Sequence, residues 1–344
     1  MSICTDLIKA LNGDVPERTP FTIYDWFFTG GGFSIQGWQP LFDQGLGRMI
    51  SVHTVRNIEH GVDNQVDDWV EGGRNYHRHR KITPIGAIQN VLVNGWHYEE
   101  WIKTPQDYQT LRWIVDHTEL APDHEVFYQA EERLGENGIV VVDGSRTPAM
   151  QILVDWAGSE RFCMNIAEGV DELMELYQAM EKLFMEETHL LAKGPGRFVR
   201  WLENLTVSTL GPRRYTKLLL NIYSQAVPIL ELAGKRVMVH YDGALRDIAS
   251  EISKAPFHII ESLTEPPEGN MFYNDCRAAW PDKAFWANIS LEHYAKPPAE
   301  LAQIIIEKRQ RAGKRGLAFE ISEDIPPNWR TAVPVVLQTL IKLG

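Results

Sequence analysis

The tetrapeptide His240-Tyr241-Asp242-Gly243 carries the first chemical signal in this chain. The apolar run VMVH ends there and a helical segment begins. In a parallel α/β protein, such a strand-to-helix junction is where reacting groups are placed. A His and an Asp two residues apart at that junction can reach into one pocket. There they can bind a metal ion, share a proton or hold a polar substrate.

Other polar residues close apolar runs in the same way: Asp25, His53, Asp143, Glu203, Glu261, Asn288, Glu320 and Glu323. One imidazole with two or three carboxylates suits zinc, manganese or iron and leaves a coordination position open for substrate. His240, Asp242, Glu203 and Glu323 are therefore the strongest group of candidate metal ligands. A purely structural reading has Asp242 orienting His240 or capping the helix that begins at Ala244, with no metal present. The HxD pattern is too short to choose between the two.

Asp25, Asp143, Glu203 and His240 are the expected catalytic groups. Burial of either aspartate would raise its pKa and suit it to general acid or base work. Asp25 stands among Tyr24, Trp26, Phe27 and Phe28, which would desolvate it or merely pack the mouth of the fold. Tyr24, Trp26, Phe27, Tyr241, Glu261 and Asn288 are the expected substrate contacts. Gly30-Gly31-Gly32 gives a loop that could cover a ligand, but without the spacing of a phosphate-binding motif.

These residues need a scaffold, and eight short apolar runs supply it. They are FTIYDW (21–26), RMISVHTV (48–55), IVVVDGS (139–145), RFVRWLEN (197–204), RVMVHYDG (236–243), FHIIESL (257–263), AFWANIS (284–290) and GLAFEIS (316–322). Most are followed by an amphipathic stretch long enough for a helix, so the fold expected is α/β, a single (β/α)8 TIM barrel spanning residues 1–344. Gly211-Pro212, Pro297-Pro298 and Pro326-Pro327 mark helix starts. Residues 56–137 interrupt the pattern after the second strand and read as an inserted hairpin followed by helices. Its turns fall at Pro84-Ile85-Gly86 and Asn94-Gly95. The basic segment GGRNYHRHRK within it reads as a solvated turn in preference to an anion site.

Composition narrows the partners. With 34 Lys and Arg against 46 Asp and Glu, the net charge is −12, which disfavours nucleic acid or an anionic membrane surface as the main partner. The N-terminus has no signal-peptide pattern and no apolar stretch approaches the ~18 residues of a membrane span, so a cytoplasmic location is expected. Cys4, Cys163 and Cys276 are too scattered for a disulfide framework or a metal knuckle. Cys276, in the helical stretch YNDCRAAW, is expected to be buried and inert.

The chain resembles the uroporphyrinogen decarboxylase-like superfamily nearly end to end. The resemblance is carried by LIKALNGDVPERTPFTIYDW, TPIGAI, WLENLTVSTLGPRRYTKLLLNIYSQAVP, VMVHYDG, ESLTEPPEGNM and FEISEDIPPNWRTAVPVVLQTL. It implies a TIM barrel and either a metal-free decarboxylase or a zinc methyltransferase that works with a corrinoid protein. The decarboxylases carry an arginine-rich segment after the first strand, but here FFTGGGFSIQGWQPLFDQGLG has no cation before Arg48, so a multiply anionic porphyrinogen would be poorly paired. The zinc enzymes carry His-x-Cys-Gly after the fifth strand and a further Cys beyond the eighth. Here His240 is retained, Asp242 replaces the first Cys and Glu323 stands near the second. Carboxylates in place of thiolates make the site harder and weaken its preference for zinc.

The resemblance thus implies a methyltransferase that uses a divalent metal, zinc or a harder ion. It would pass a methyl group between a small methylated donor and a corrinoid (cobalamin) carried by a partner protein. A carboxy-lyase acting on uroporphyrinogen or a smaller acid, and a non-catalytic barrel, are the alternatives. Nothing in the sequence opposes a homodimer.

Overall fold

The computed structural model describes residues 2–205 and 207–344. Its strands, in chain order, are β1 (Phe21–Tyr24), β2 (Gly47–Val52), β3 (Val55–Glu59), β4 (Asp63–Glu71), β5 (Arg74–Thr83), β6 (Gly86–Val93), β7 (Trp96–Glu99), β8 (Thr118–Pro122), β9 (Gly138–Gly144), β10 (Phe198–Trp201), β11 (Arg236–His240), β12 (Ile259–Leu263), β13 (Ala284–Asn288) and β14 (Leu317–Glu320). Eight of them close into a parallel barrel in the order β1-β14-β13-β12-β11-β10-β9-β2, with β2 pairing back onto β1. Each falls within or beside one of the eight apolar runs, so the expected (β/α)8 fold is the observed one.

These strands are near-continuous apolar runs because both of their faces are covered. Every residue of β1, β9, β10, β12, β13 and β14 is buried. The helix Pro298–Ala312 begins with proline in its first turn, where the missing N–H loses nothing, and ends at Gly313, φ 74°. Gly211, φ 68°, breaks the helical segment around it, so that Pro212 restarts it as the sequence implied. The helix Tyr273–Ala279 buries Cys276 completely and burial pushes its thiol up to about 12, which leaves it inert at neutral pH.

The chain forms two compact units. The first holds residues 1–54, 123–144 and 191–344, the second residues 55–122 and 145–190. The insertion after β2 is more than a hairpin. β4, β5, β6 and β7 make a four-stranded antiparallel sheet, and β3 pairs antiparallel with β8. Asn94, φ 51°, and Gly95, φ 85°, form the two-residue β6–β7 turn expected from the sequence.

The basic segment corrects the sequence reading. Only Gly72 and Gly73 form a turn, and Arg74–Thr83 is a strand. Its cations lie across from the acids of β4: Asp67 accepts two hydrogen bonds from Arg78 at 2.7 and 3.0 Å, and Asp68 pairs with His77 at 2.8 Å. Opposite charges on facing strand positions stabilise the pairing that apolar alternation would otherwise supply. The helix Pro105–Asp116 opens on a capping box between Thr104 and Asp107. Among the described residues, no helix is long and apolar enough to cross a membrane.

Candidate metal centre at the barrel mouth

His240 is the last residue of β11 and sits in register with Glu261 on β12. Its Nδ1 lies 2.6 Å from Glu261 Oε2. The other Glu261 oxygen accepts from Tyr24 Oη at 2.6 Å and from Arg200 Nη1 at 3.2 Å. Arg200, on β10 and in register with Asp143 of β9, grips that aspartate in a two-pronged ion pair, Nε–Oδ1 2.8 Å and Nη2–Oδ2 3.0 Å. A chain of charges, Asp143–Arg200–Glu261–His240, therefore crosses four adjacent strands, and all four residues are at most 5 % exposed.

The ionisation of this chain follows from its packing. Burial alone would push the Glu261 carboxyl up, but His240 and Arg200 beside it outweigh that effect and hold it at about 2. Burial opposes charge on His240, yet the Glu261 carboxylate, hydrogen-bonded to its Nδ1, and the nearby Asp242 and Glu323 carboxylates raise it well above the usual histidine range. The Asp242 carboxyl, which burial would raise, is lowered by the adjacent His240 imidazole and by the amide of Asn204.

The outer nitrogen of His240 faces two more carboxylates. Nε2 stands 3.3 Å from Glu323 Oε1 and 3.8 Å from Asp242 Oδ2, both longer than the 2.6 Å bond on the inner nitrogen. One ligand atom from each of His240, Asp242 and Glu323 falls within 4.8 Å of the other two. Donors bound at about 2.1 Å and separated by tetrahedral or octahedral angles lie roughly 3.0–3.4 Å apart, so small side-chain adjustments bring this set onto one ion. The nitrogen and two oxygens also match the borderline-to-hard donor set of a divalent transition metal.

Each outer ligand is steadied. Asn204, φ 45°, donates its backbone N–H to His240 O at 3.1 Å and its amide to Asp242 Oδ2 at 3.2 Å. Glu323 Oε1 accepts from Ser262 Oγ and from Asn288 Nδ2, the latter at 3.4 Å. Ser262, φ 64°, sits where β12 slips register against β13 between Glu261 and Leu263. Such a bulge re-aims a side chain at the end of a strand.

The cavity above this set, about 410 Å³, is lined by Tyr24, Trp26, Ser51, Asp143, Arg200, Leu202, Asn204, His240 and Glu323. Several expected site residues lie elsewhere. Asp25 is buried against Arg48, with Nε at 2.9 Å, and Arg133 Nη2 at 3.2 Å, so its carboxylate is spent on an ion-pair clamp. Phe27 is buried and packs on Trp26 and Phe33. Glu203 accepts from Tyr223 Oη at 3.0 Å in a buried set of tyrosine hydroxyls that includes Tyr241 and Tyr215. Glu261 is directed to His240, Tyr24 and Arg200, and Asn288 to Ser262 and Glu323. Sequence reasoning missed Arg200, Asn204 and Ser262. Only Asn204, the last residue of the fourth apolar run, gave a positional signal.

No protein-family model matches the chain, and no curated protein matches it. Among solved structures, a methyltransferase from Methanosarcina mazei is similar over 100% of this chain and 99% of that one, with a TM-score of 0.60 and 9% identity. The likeness is one of fold. A D-allulose 3-epimerase from Methylomonas sp. aligns over 96% of this chain and 98% of that one, with a TM-score of 0.42 and 10% identity.

Proposed function

We propose that the chain is a metal-dependent methyltransferase of the uroporphyrinogen decarboxylase-like superfamily. It would pass a methyl group between the heteroatom of a small methylated substrate and the cobalt of a corrinoid carried by a partner protein. One observation carries the reading: His240 and Asp242 from one strand end, and Glu323 from a distant part of the sequence, bring one ligand atom each within 4.8 Å at the C-terminal mouth of the barrel. That is the face on which barrel enzymes build their sites.

His240, Asp242 and Glu323 would hold the ion. When bound, it supplies Lewis acidity toward the heteroatom that gives up or receives the methyl group. Glu261 fixes the His240 ring by accepting the hydrogen bond of its Nδ1–H, which leaves Nε2 directed at the ligand site. Arg200 keeps Glu261 ionised, and Asp143 holds Arg200 in place. Tyr24 supports Glu261 from below, while the half-exposed Trp26 indole offers an apolar wall for a methylated group. Arg200 and His240 are the buried cations of this cavity, and carboxylates already pair with both. That arrangement weighs against a carboxy-lyase that needs a cation for its substrate's carboxylate.

The test is the metal content of the purified protein by elemental mass spectrometry, for the native sequence and for His240→Ala, followed by methyl transfer to cob(I)alamin read from its absorbance. Near-stoichiometric metal that is lost in the variant, together with donor-dependent methylation, supports the proposal. Metal absent from both proteins after loading, or no methylation with any methoxy, thiol or quaternary-amine donor, overturns it.

A further inference from the structure

The second unit contains a cavity of its own, about 200 Å³ in volume, bounded only by residues of that unit. Leu111, Ile114, Leu120, Met180, Leu183 and Phe184 form its apolar lining, drawn from β8 and the helices Pro105–Asp116 and Asp171–Lys193. Two indoles, Trp101 and Trp156, join them, with the His79 ring edge-on to Trp101 at 5.1 Å. Aromatic side chains in such a pocket favour a flat ring that can stack or meet them edge to face.

Every charge on the wall is already engaged. Lys81 pairs with Glu59 and lies 5.9 Å over the Trp101 ring. Arg146 pairs with Asp155 at 3.1 Å, and Glu187 accepts the Ser145 N–H at 3.1 Å. Burial, reinforced by Lys81, lowers the His79 pKa and keeps its ring neutral. A charged ligand would lose its hydration and meet no uncommitted counter-charge. The half-buried Gln151 amide and Trp156 indole N–H, by contrast, make no side-chain hydrogen bond among the described residues and can both donate.

We propose that this cavity is a second binding site, for a neutral single-ring aromatic molecule that carries one oxygen acceptor. The ring occupies the apolar side between the helices, and the oxygen accepts from Gln151 or Trp156. The volume accommodates one such ring. The site uses none of the residues at the barrel mouth, so it stands whether or not the methyltransferase reading does.

Calorimetric titration of the full chain with benzamide, benzoate and benzylammonium tests the class of ligand. Benzamide should bind at least about tenfold more tightly than either charged analogue. Leu183→Trp, which fills the cavity, should abolish benzamide binding, and Gln151→Ala should weaken it at least about threefold. His240→Ala should leave it unchanged. Equal affinity for the three probes overturns the proposal, as does no benzamide binding up to about 10 mM, a range that a ligand of this size should reach. Binding that is lost in His240→Ala but kept in Leu183→Trp assigns the probe to the barrel and also overturns it. Should Leu183→Trp fail to fold, Gln151→Ala decides, because the described residues give that side chain no hydrogen bond to lose in the free protein.

Discussion

Arg200 and Arg78 make the same kind of bond in opposite surroundings. Arg200 holds Asp143 and Glu261 with side chains no more than 5% exposed, whereas Arg78 holds Asp67 on a sheet where the two side chains are 40% and 53% exposed. Water screens the second pair and would solvate either partner alone, so its geometry says little about its worth. Within the barrel little solvent reaches these side chains to replace a lost partner, and each charge there depends on the next. The number of ion pairs therefore says less than where they sit.

The sharpest way to break this comparison is Arg200→Met. It leaves Asp143 and Glu261 buried without their cation and should destabilise the protein by about 3–5 kcal/mol, read from the shift of its urea midpoint. Glu261→Gln should have the next largest effect. The Gln cannot hold the His240 ring as a carboxylate does, and metal affinity in a competitive chelator titration should fall about 10–100-fold while the fold persists. Unchanged affinity would end the role of Glu261 in orienting His240.

A third prediction concerns Glu320, fully buried with Oε1 unpartnered and Oε2 receiving Thr22 Oγ1 at 2.7 Å. Burial holds its carboxyl well above the usual range, so the folded chain keeps a proton that the unfolded chain releases. The native state then binds more protons, and stability falls as pH rises from about 4.5 through the folded pKa. Glu320→Gln cannot lose that proton. Its stability relative to the parent should increase with pH in denaturant melts, and a pH-independent difference would refute the assignment. The smallest effect belongs to Arg78→Ala, which should cost less than about 1 kcal/mol and be further reduced by salt. A cost comparable to that of Arg200→Met would end the contrast between the two regions.

The same contrast explains what the sequence discloses. Barrel strands covered on both faces must be apolar throughout, so IVVVDG and VMVHYD stand out and their last polar residues point to the mouth. His240, Asp242 and Glu323 were legible in that way. Arg200 was not, because a cation inside the run RFVRW reads as a solvated position unless Asp143 is known to lie in register beside it. Asp25 misled for the same reason: its partners, Arg48 and Arg133, are 23 and 108 residues away. In the second unit, β4 is exposed at all nine positions, so it shows no apolar alternation and its basic partner strand resembled a turn.

Ser262 has a consequence for how this site can change. A serine in the left-handed region pays a backbone penalty that glycine would not, of order 1 kcal/mol. Ser262→Gly would relieve it, yet the hydroxyl that reaches Glu323 and accepts from Asn288 would vanish. Selection for heat tolerance alone should drift toward glycine at this position, whereas retention of the proposed metal site should favour serine. On the proposed function, the bulge in β12 is a point where the demands of folding and of the site oppose one another within a single residue.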